Sequence, residues 1–206
     1  MLRRSLAALC AVALAATSAS AQLYDFEGAD SPIGTVTPFS LTRGGVTVSF
    51  AGNPNAFVVF PLGNGFATLS GNVLFGGGGD GEVPTASTLE IGLSAPQTSI
   101  SLLFALGDRT NTAMLTMNLF SSGLLVGSVS GTGAIPDGDF SRPEGTLSFT
   151  GASFDQAFLF TDGEPVYSID DLRLGNVAVI PEPATVALLA TGLLAVGGVA
   201  TRRRRA

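Results

Sequence analysis

The chain has 206 residues, a formal net charge of −6, and no histidine, lysine or tryptophan. Its single cysteine is Cys10, close to the N-terminus. This composition closes off Ser-His-Asp and Cys-His nucleophile systems, Schiff-base lysines and His- or Cys-rich zinc sites.

Arg3 and Arg4 form a basic n-region, Leu6 to Ala16 an apolar h-region, and Ala19-Ser20-Ala21 an A-x-A cleavage site before Gln22. That order is the grammar of a secretory signal peptide over residues 1–21, with a mature N-terminus at Gln22. Cys10 invites a lipoprotein reading, but Leu9 stands where a lipobox needs a small residue, and the h-region runs on past it. Cleavage leaves a chain without thiols, whose stability must come from packing alone.

Residues 22–178 then form one ectodomain of a size suited to a single core. From 22 to 180 four arginines face fifteen carboxylates, a net charge of −11 that the basic ends of the chain conceal. So acidic a surface repels phosphates, and no basic patch with interleaved aromatics relieves it, so nucleic acid is excluded as a partner. A carboxylate pair of the glycosidase kind is the one common hydrolytic device still open.

Within the ectodomain, short period-two runs alternate with turn residues. Val46-Thr47-Val48-Ser49-Phe50 alternates cleanly, as do Leu89, Ile91 and Leu93, and then Ile100, Leu102 and Phe104. Leu115, Met117 and Leu119 share a face, Leu147 and Phe149 mark a short strand, and Ala157 to Phe160 and Val166 to Leu174 close the set. Gly, Pro, Asn and Asp recur at the spacing of an antiparallel β-sandwich or jelly roll, so the fold class is all-β. Gly76 to Gly81 lacks the Lys-Ser/Thr of a phosphate loop and reads as a connection. Asp137-Gly138-Asp139-Phe140-Ser141 starts like a calcium loop, but Arg142 stands where an EF-hand needs glycine; it reads as a surface turn, as does Asn53-Pro54-Asn55.

The chain ends on Pro181-Glu182-Pro183, an apolar run from Ala184 to Ala200, and Arg202-Arg203-Arg204-Arg205. The run is uncharged and about 25 Å long as a helix, close to a bilayer core, and the arginines stop transfer and stay cytoplasmic. An ordinary tail anchor needs no Pro-Glu-Pro. The order of parts over 179–206 resembles the PEP-CTERM sorting tail of exosortase substrates. That resemblance implies an exported protein with a membrane-anchored precursor, an exosortase as processing partner, and a destination at the surface or in an exopolysaccharide biofilm matrix.

The first predicted strand, Leu23-Tyr24-Asp25-Phe26-Glu27-Gly28, and the last, Tyr167-Ser168-Ile169-Asp170-Asp171-Leu172, resemble those of carbohydrate-binding-module and galactose-binding-like jelly rolls. There the terminal strands lie side by side, and nearby carboxylates hold a structural calcium. The resemblance implies Glu27 and Asp171 as candidate ligands, with Asp25 and Asp170 as neighbours; calcium requires such hard oxygen donors. The plain alternative is edge charge that discourages sheet aggregation. Two functions follow: a non-enzymatic, exosortase-sorted surface or matrix protein, or a carbohydrate-binding module with polysaccharide as partner, a glycan hydrolase being the remoter variant. Sugar sites favour exposed aromatic platforms. The fourteen phenylalanines fall mostly on core positions, and Tyr24 and Tyr167 lie on the terminal strands.

Overall fold

The computed structural model describes residues 21–53, 57–63, 65–76, 88–107, 113–137, 142–162 and 166–176. The signal peptide up to Ser20, most of the Gly76–Gly81 and Asp137–Ser141 segments, and the tail at 179–206 lie outside them. The described residues form ten strands and no helix. In chain order these are β1 (Gln22–Tyr24), β2 (Phe39–Arg43), β3 (Val46–Asn53), β4 (Val58–Pro61), β5 (Asn72–Gly76), β6 (Thr88–Leu106), β7 (Met114–Ser121), β8 (Leu124–Gly131), β9 (Glu144–Asp162) and β10 (Tyr167–Gly175). All pairings are antiparallel.

Two strands, β6 and β9, are far longer than the rest, and they make a sandwich from one continuous sheet. The first half of β6 pairs with β3 on one edge (Phe50 opposite Ile91) and with the second half of β9 on the other (Leu89 opposite Leu159). Its second half pairs with β10 (Ile169 opposite Phe104) and with the first half of β9 (Leu102 opposite Leu147). One layer therefore runs β2-β3-β6-β9-β7-β8 and the other β4-β5-β10-β6-β9, with β1 added to β10.

The fold between layers falls where the β6–β9 register shifts, from Gly92 to Ser99. Pro96 lies there because it has no N–H to give a ladder. Gln97, buried, turns its Nε2 back onto the Ala95 and Pro96 carbonyls at 3.1 and 3.0 Å. The irregularity also explains the switch from odd inward positions, Leu89 and Ile91, to even ones, Ile100, Leu102 and Phe104. Two separate strands are the natural reading of that switch in sequence; the structure joins them. The same holds for Leu147 and Ala157–Phe160, both on β9. Four strands, β2, β4, β5 and β8, carry no strong alternation and were not expected.

The layers enclose Phe26, Phe50, Phe57, Phe104, Phe154, Ile91, Leu159 and Ile169, all buried. Phe26 meets Phe50 edge-on at 5.6 Å, and Phe57 meets the Tyr167 ring at 5.3 Å. The terminal strands do lie side by side: Gln22, Leu23 and Tyr24 stand opposite Leu174, Arg173 and Leu172. Both tyrosines are pinned by backbone. Tyr24 Oη donates to Val46 O at 2.9 Å, tying β1 to the β2–β3 turn. Tyr167 Oη accepts from Leu89 N at 3.2 Å and donates to Leu159 O at 2.9 Å, so one fully buried hydroxyl bridges β6, β9 and β10. Desolvation pushes this phenol well above its ordinary range, so it stays a donor at every pH of interest.

Tyr167→Phe keeps the ring in place and strands a buried donor and a buried acceptor. It should cost about 1–3 kcal/mol, read as a lower melting temperature or denaturant midpoint. Unchanged stability would show that those backbone groups find other partners.

Candidate functional site

Two features of the second layer place chemistry on the surface, and both depend on the connection between β4 and β5. That connection closes at its base through Leu62 N donating to Gly71 O at 2.7 Å, and folds back over the outer face of the layer. Leu69 packs there with Val73 and Ala105, flanked by Phe66, Phe75 and Leu103. Two acids hold it down. Glu144, buried on β9, accepts from Ala67 N at 2.7 Å, Thr68 N at 2.6 Å and Thr68 Oγ1 at 2.5 Å. Asp170, buried on β10, accepts from Ser70 N at 3.5 Å.

Asp170 sits where the free edge of β10 changes partner, from β5 at residues 167–169 to β1 at 172–174. Across the strand, the β6 register slips by one residue between Asp170 and Arg173, a β-bulge. The slip lets Tyr167 and Ile169, then Leu172 and Leu174, all reach the core. Asp171 carries the strain of it, with φ at 50°, a region that asparagine and aspartate tolerate better than most residues.

Of the residues singled out as cation ligands, Glu27 accepts from Asn72 N at 2.5 Å. Asp171 instead pairs with Arg173 at 3.1 Å. The acid that shares the Ser70–Asn72 segment with Glu27 is Asp170. Gly71, between those two donors, has φ at 66°, and a Cβ on it would fall on the Glu27 carboxylate. Calcium takes six to eight oxygens, yet no three acidic side chains come together among the described residues. The pair is a clasp on a loop. Gln22 opens β1, and its side-chain amide lies 3.0 Å from Tyr24 Oη. Ala19, Pro181, Glu182, Pro183 and Arg202 to Arg205 lie outside the described residues.

Beside the clasp, the β4–β5 hairpin and the ends of β6 and β10 enclose a cleft of about 240 Å³. Phe60, Phe66 and Phe75 line one wall, Ala105, Tyr167 and Ser168 the other, and Arg142 stands at its rim. Phe60 is half exposed and lies 6.0 Å from the Phe75 ring. Arg142 Nη1 donates to Gly107 O at 3.3 Å. Among the described residues the ion pairs are Arg43–Asp30 and Arg173–Asp171, which leaves Arg142 without an acid. Sequence reasoning missed this cleft and Glu144. A lone Glu after Arg-Pro carries no pattern, and Phe60, Phe66 and Phe75 meet only through a loop that follows no period.

The described domain is thus an all-β, antiparallel, two-layer structure. The PEP-CTERM protein-sorting motif matches residues 179–205. The chain carries that motif, which marks an exported protein sorted by an exosortase from a membrane-anchored precursor. Among the described residues no helix is long and apolar enough to cross a membrane. No curated protein matches the chain. Similar solved structures include the K3 cleaved adhesin domain of Lys-gingipain from Porphyromonas gingivalis W83, at 12% identity and a TM-score of 0.43 over 77% of this chain and 99% of that one. The K1 adhesin domain of the same protein gives 13%, 0.39, 77% and 99%. The enzymatically active domain of bacteriophage CBA120 tailspike protein 4 gives 17% and 0.36, over 74% of this chain and 20% of that one.

Burial pushes the Asp170 carboxyl up to about 6; the Asp171 and Ser70 N–H groups oppose the rise, and the charges of Asp171 and Glu27 add to it. This native value lies above the ordinary 3.8, so the folded protein holds the proton more tightly than the unfolded chain. Stability is therefore lost as pH rises from about 4 through 6, by up to about 3 kcal/mol. Asp170→Asn should remove that component and be the more stable protein at pH 8. The difference between the two melting temperatures across pH 4–8 checks it; parallel profiles would show that Asp170 titrates normally.

Proposed function

We propose that the mature protein is a non-enzymatic component of the cell surface or of an exopolysaccharide biofilm matrix, delivered there when an exosortase processes the tail. The observation that carries this reading is the Pro181-Glu182-Pro183 motif joined to an exported β-sandwich without histidine, lysine or a mature thiol. Apolar length and flanking arginines suffice for an anchor, so the tripeptide must serve something else. Glu182 is too polar for hydrocarbon and belongs at the outer face of the membrane. Two prolines hold the backbone extended there, the conformation that a protease or transpeptidase grips.

The cleft favours a second reading, in which the domain binds carbohydrate. Phe60, Phe66 and Phe75 offer apolar ring faces to the flat side of a sugar, and Arg142 offers donors for hydroxyl or carboxylate oxygens. Among the described residues that line the cleft none is a carboxylate. Hydrolysis of a glycosidic bond needs two, so this lining supports binding over cleavage. Phe60→Ala with Arg142→Ala should abolish retention on an acidic polysaccharide column without lowering the melting temperature by more than a few degrees. Equal retention of the variant and the wild type would remove the cleft from consideration.

Replacing Pro181-Glu182-Pro183 with alanines should leave export and insertion intact while unprocessed protein accumulates in the membrane fraction. Release at the wild-type rate would make the tripeptide a spacer and defeat the sorting reading. Immunoblots of membrane and medium fractions measure it.

A further inference from the structure

A sandwich built from an open sheet has edges, and natural domains guard them. Besides β1 and the first half of β9, three edge strands are treated differently. β2 ends in Arg43, ion-paired to Asp30. β4 is covered by the preceding segment, with Gly34 N donating to Val59 O and Val59 N to Thr35 O, both at 2.8 Å, and it ends in Pro61. β8 has neither device. Among the described residues it pairs with β7 alone, and nothing covers its outer backbone. It runs for eight residues without a charge or a proline. Leu124 and Leu125, just after the Ser122-Gly123 turn, are 73% and 58% exposed.

Charge is sparse around β8, where Asp155 of β9 accepts from Ser122 N at 3.1 Å at the turn that leads into the strand. No residue from Thr110 to Pro136 is ionisable, in a domain whose net charge is −11. Gly127 and Gly131 of β8 lie against Phe149 and Leu147 of β9, so the two layers end together there. Residues 145–154 of β9 are uncharged as well. One end of an acidic sandwich thus presents an uncharged open strand, with Asp155 at the turn that precedes it.

We infer that this end is a self-association surface: β8 pairs antiparallel with β8 of a second copy, joining two six-stranded layers into one. Copies of so acidic a protein repel one another everywhere except where charge is missing, and β8 is where it is missing. A two-fold contact sets each strand against itself. Unlike charges therefore cannot be matched across it, and a strand with no charges has nothing to mismatch. The outward N–H and C=O groups supply the ladder bonds that any added strand would use. The precursor's membrane anchor raises the local concentration of exactly this partner, since every copy is tethered to one surface.

The test uses the exported protein and compares it with Leu125→Lys/Ser128→Lys, which places lysines on the edge, and with Ser40→Lys on the β2 edge as control. Sedimentation velocity from low to high micromolar concentration should show wild type and control moving from monomer to dimer. The double variant should stay monomeric throughout while keeping the wild-type circular dichroism. A wild type that is monomeric at every concentration, or a double variant as dimeric as wild type, overturns the inference. If the double variant does not fold, hydrogen exchange on wild type decides instead. Amides of 124–131 should slow by on the order of tenfold as the dimer forms, and no change with concentration overturns it. Protection of those amides only when polysaccharide is added would assign the edge to that ligand, and overturns it equally.

Discussion

Everything in this domain hangs on one antiparallel ladder, β6 against β9. The two strands are long enough to serve both layers, and each layer is completed by whatever adds to their outer edges: β3 and β7 in one, β10 in the other. A sandwich made from two independent sheets would have only side-chain packing between its layers. Here covalent chain and hydrogen bonds pass directly from one to the other. The cost is a strongly irregular stretch around Pro96, where ladder bonds are lost and the Gln97 amide satisfies carbonyls that the ladder cannot. Tyr167 does similar work at the other junction, bonding backbone of both β6 and β9 from a side chain on β10.

The described domain contains no cysteine and so no disulfide to hold its loops, and it uses buried carboxylates in their place. Glu144 and Asp170 each take backbone N–H groups of the β4–β5 connection, and Glu27 takes the next one along. Charge-assisted bonds of this kind are stronger than neutral ones, but each requires an acid to leave water. Glu144 meets that requirement with three donors. Asp170 is buried with one long bond from Ser70, one short bond from its own neighbour, and two nearby negative charges, and burial above all pushes its carboxyl upward. The loop so fastened forms one wall of the Phe60–Arg142 cleft. The cleft and the acid clasp therefore share one loop.

The segregation of charge gives the domain its direction. Acidic residues gather at the β1–β10 side, around Asp25, Glu27, Asp30, Asp170 and Asp171, while β7 and β8 themselves carry none and Asp155 of β9 meets their turn. Repulsion keeps the acidic side solvated and apart from other copies. The bare side is where contact costs least.

Sequence alone determined what depends on local order. Sorting was legible because a Pro-Glu-Pro tail is a linear signal, and the tail motif matches at 179–205. The all-β class was legible because alternation at Val46–Phe50, Leu89–Leu93 and Leu115–Leu119 is the direct imprint of a half-buried strand. What tertiary structure decided is everything that depends on bulges and loops. The odd-to-even switch between Leu93 and Ile100 reads as two strands until β9 is seen to pair with both halves. Asp170 and Asp171 are adjacent and chemically identical, yet a one-residue slip buries the first against Ser70 and turns the second toward Arg173. No pattern in the chain distinguishes them, because side-chain direction at a bulge is set by the partner strand. β8 carries so weak an alternation that only its place beside β7 makes it a strand, and only its place at the end of the layer makes it an open edge.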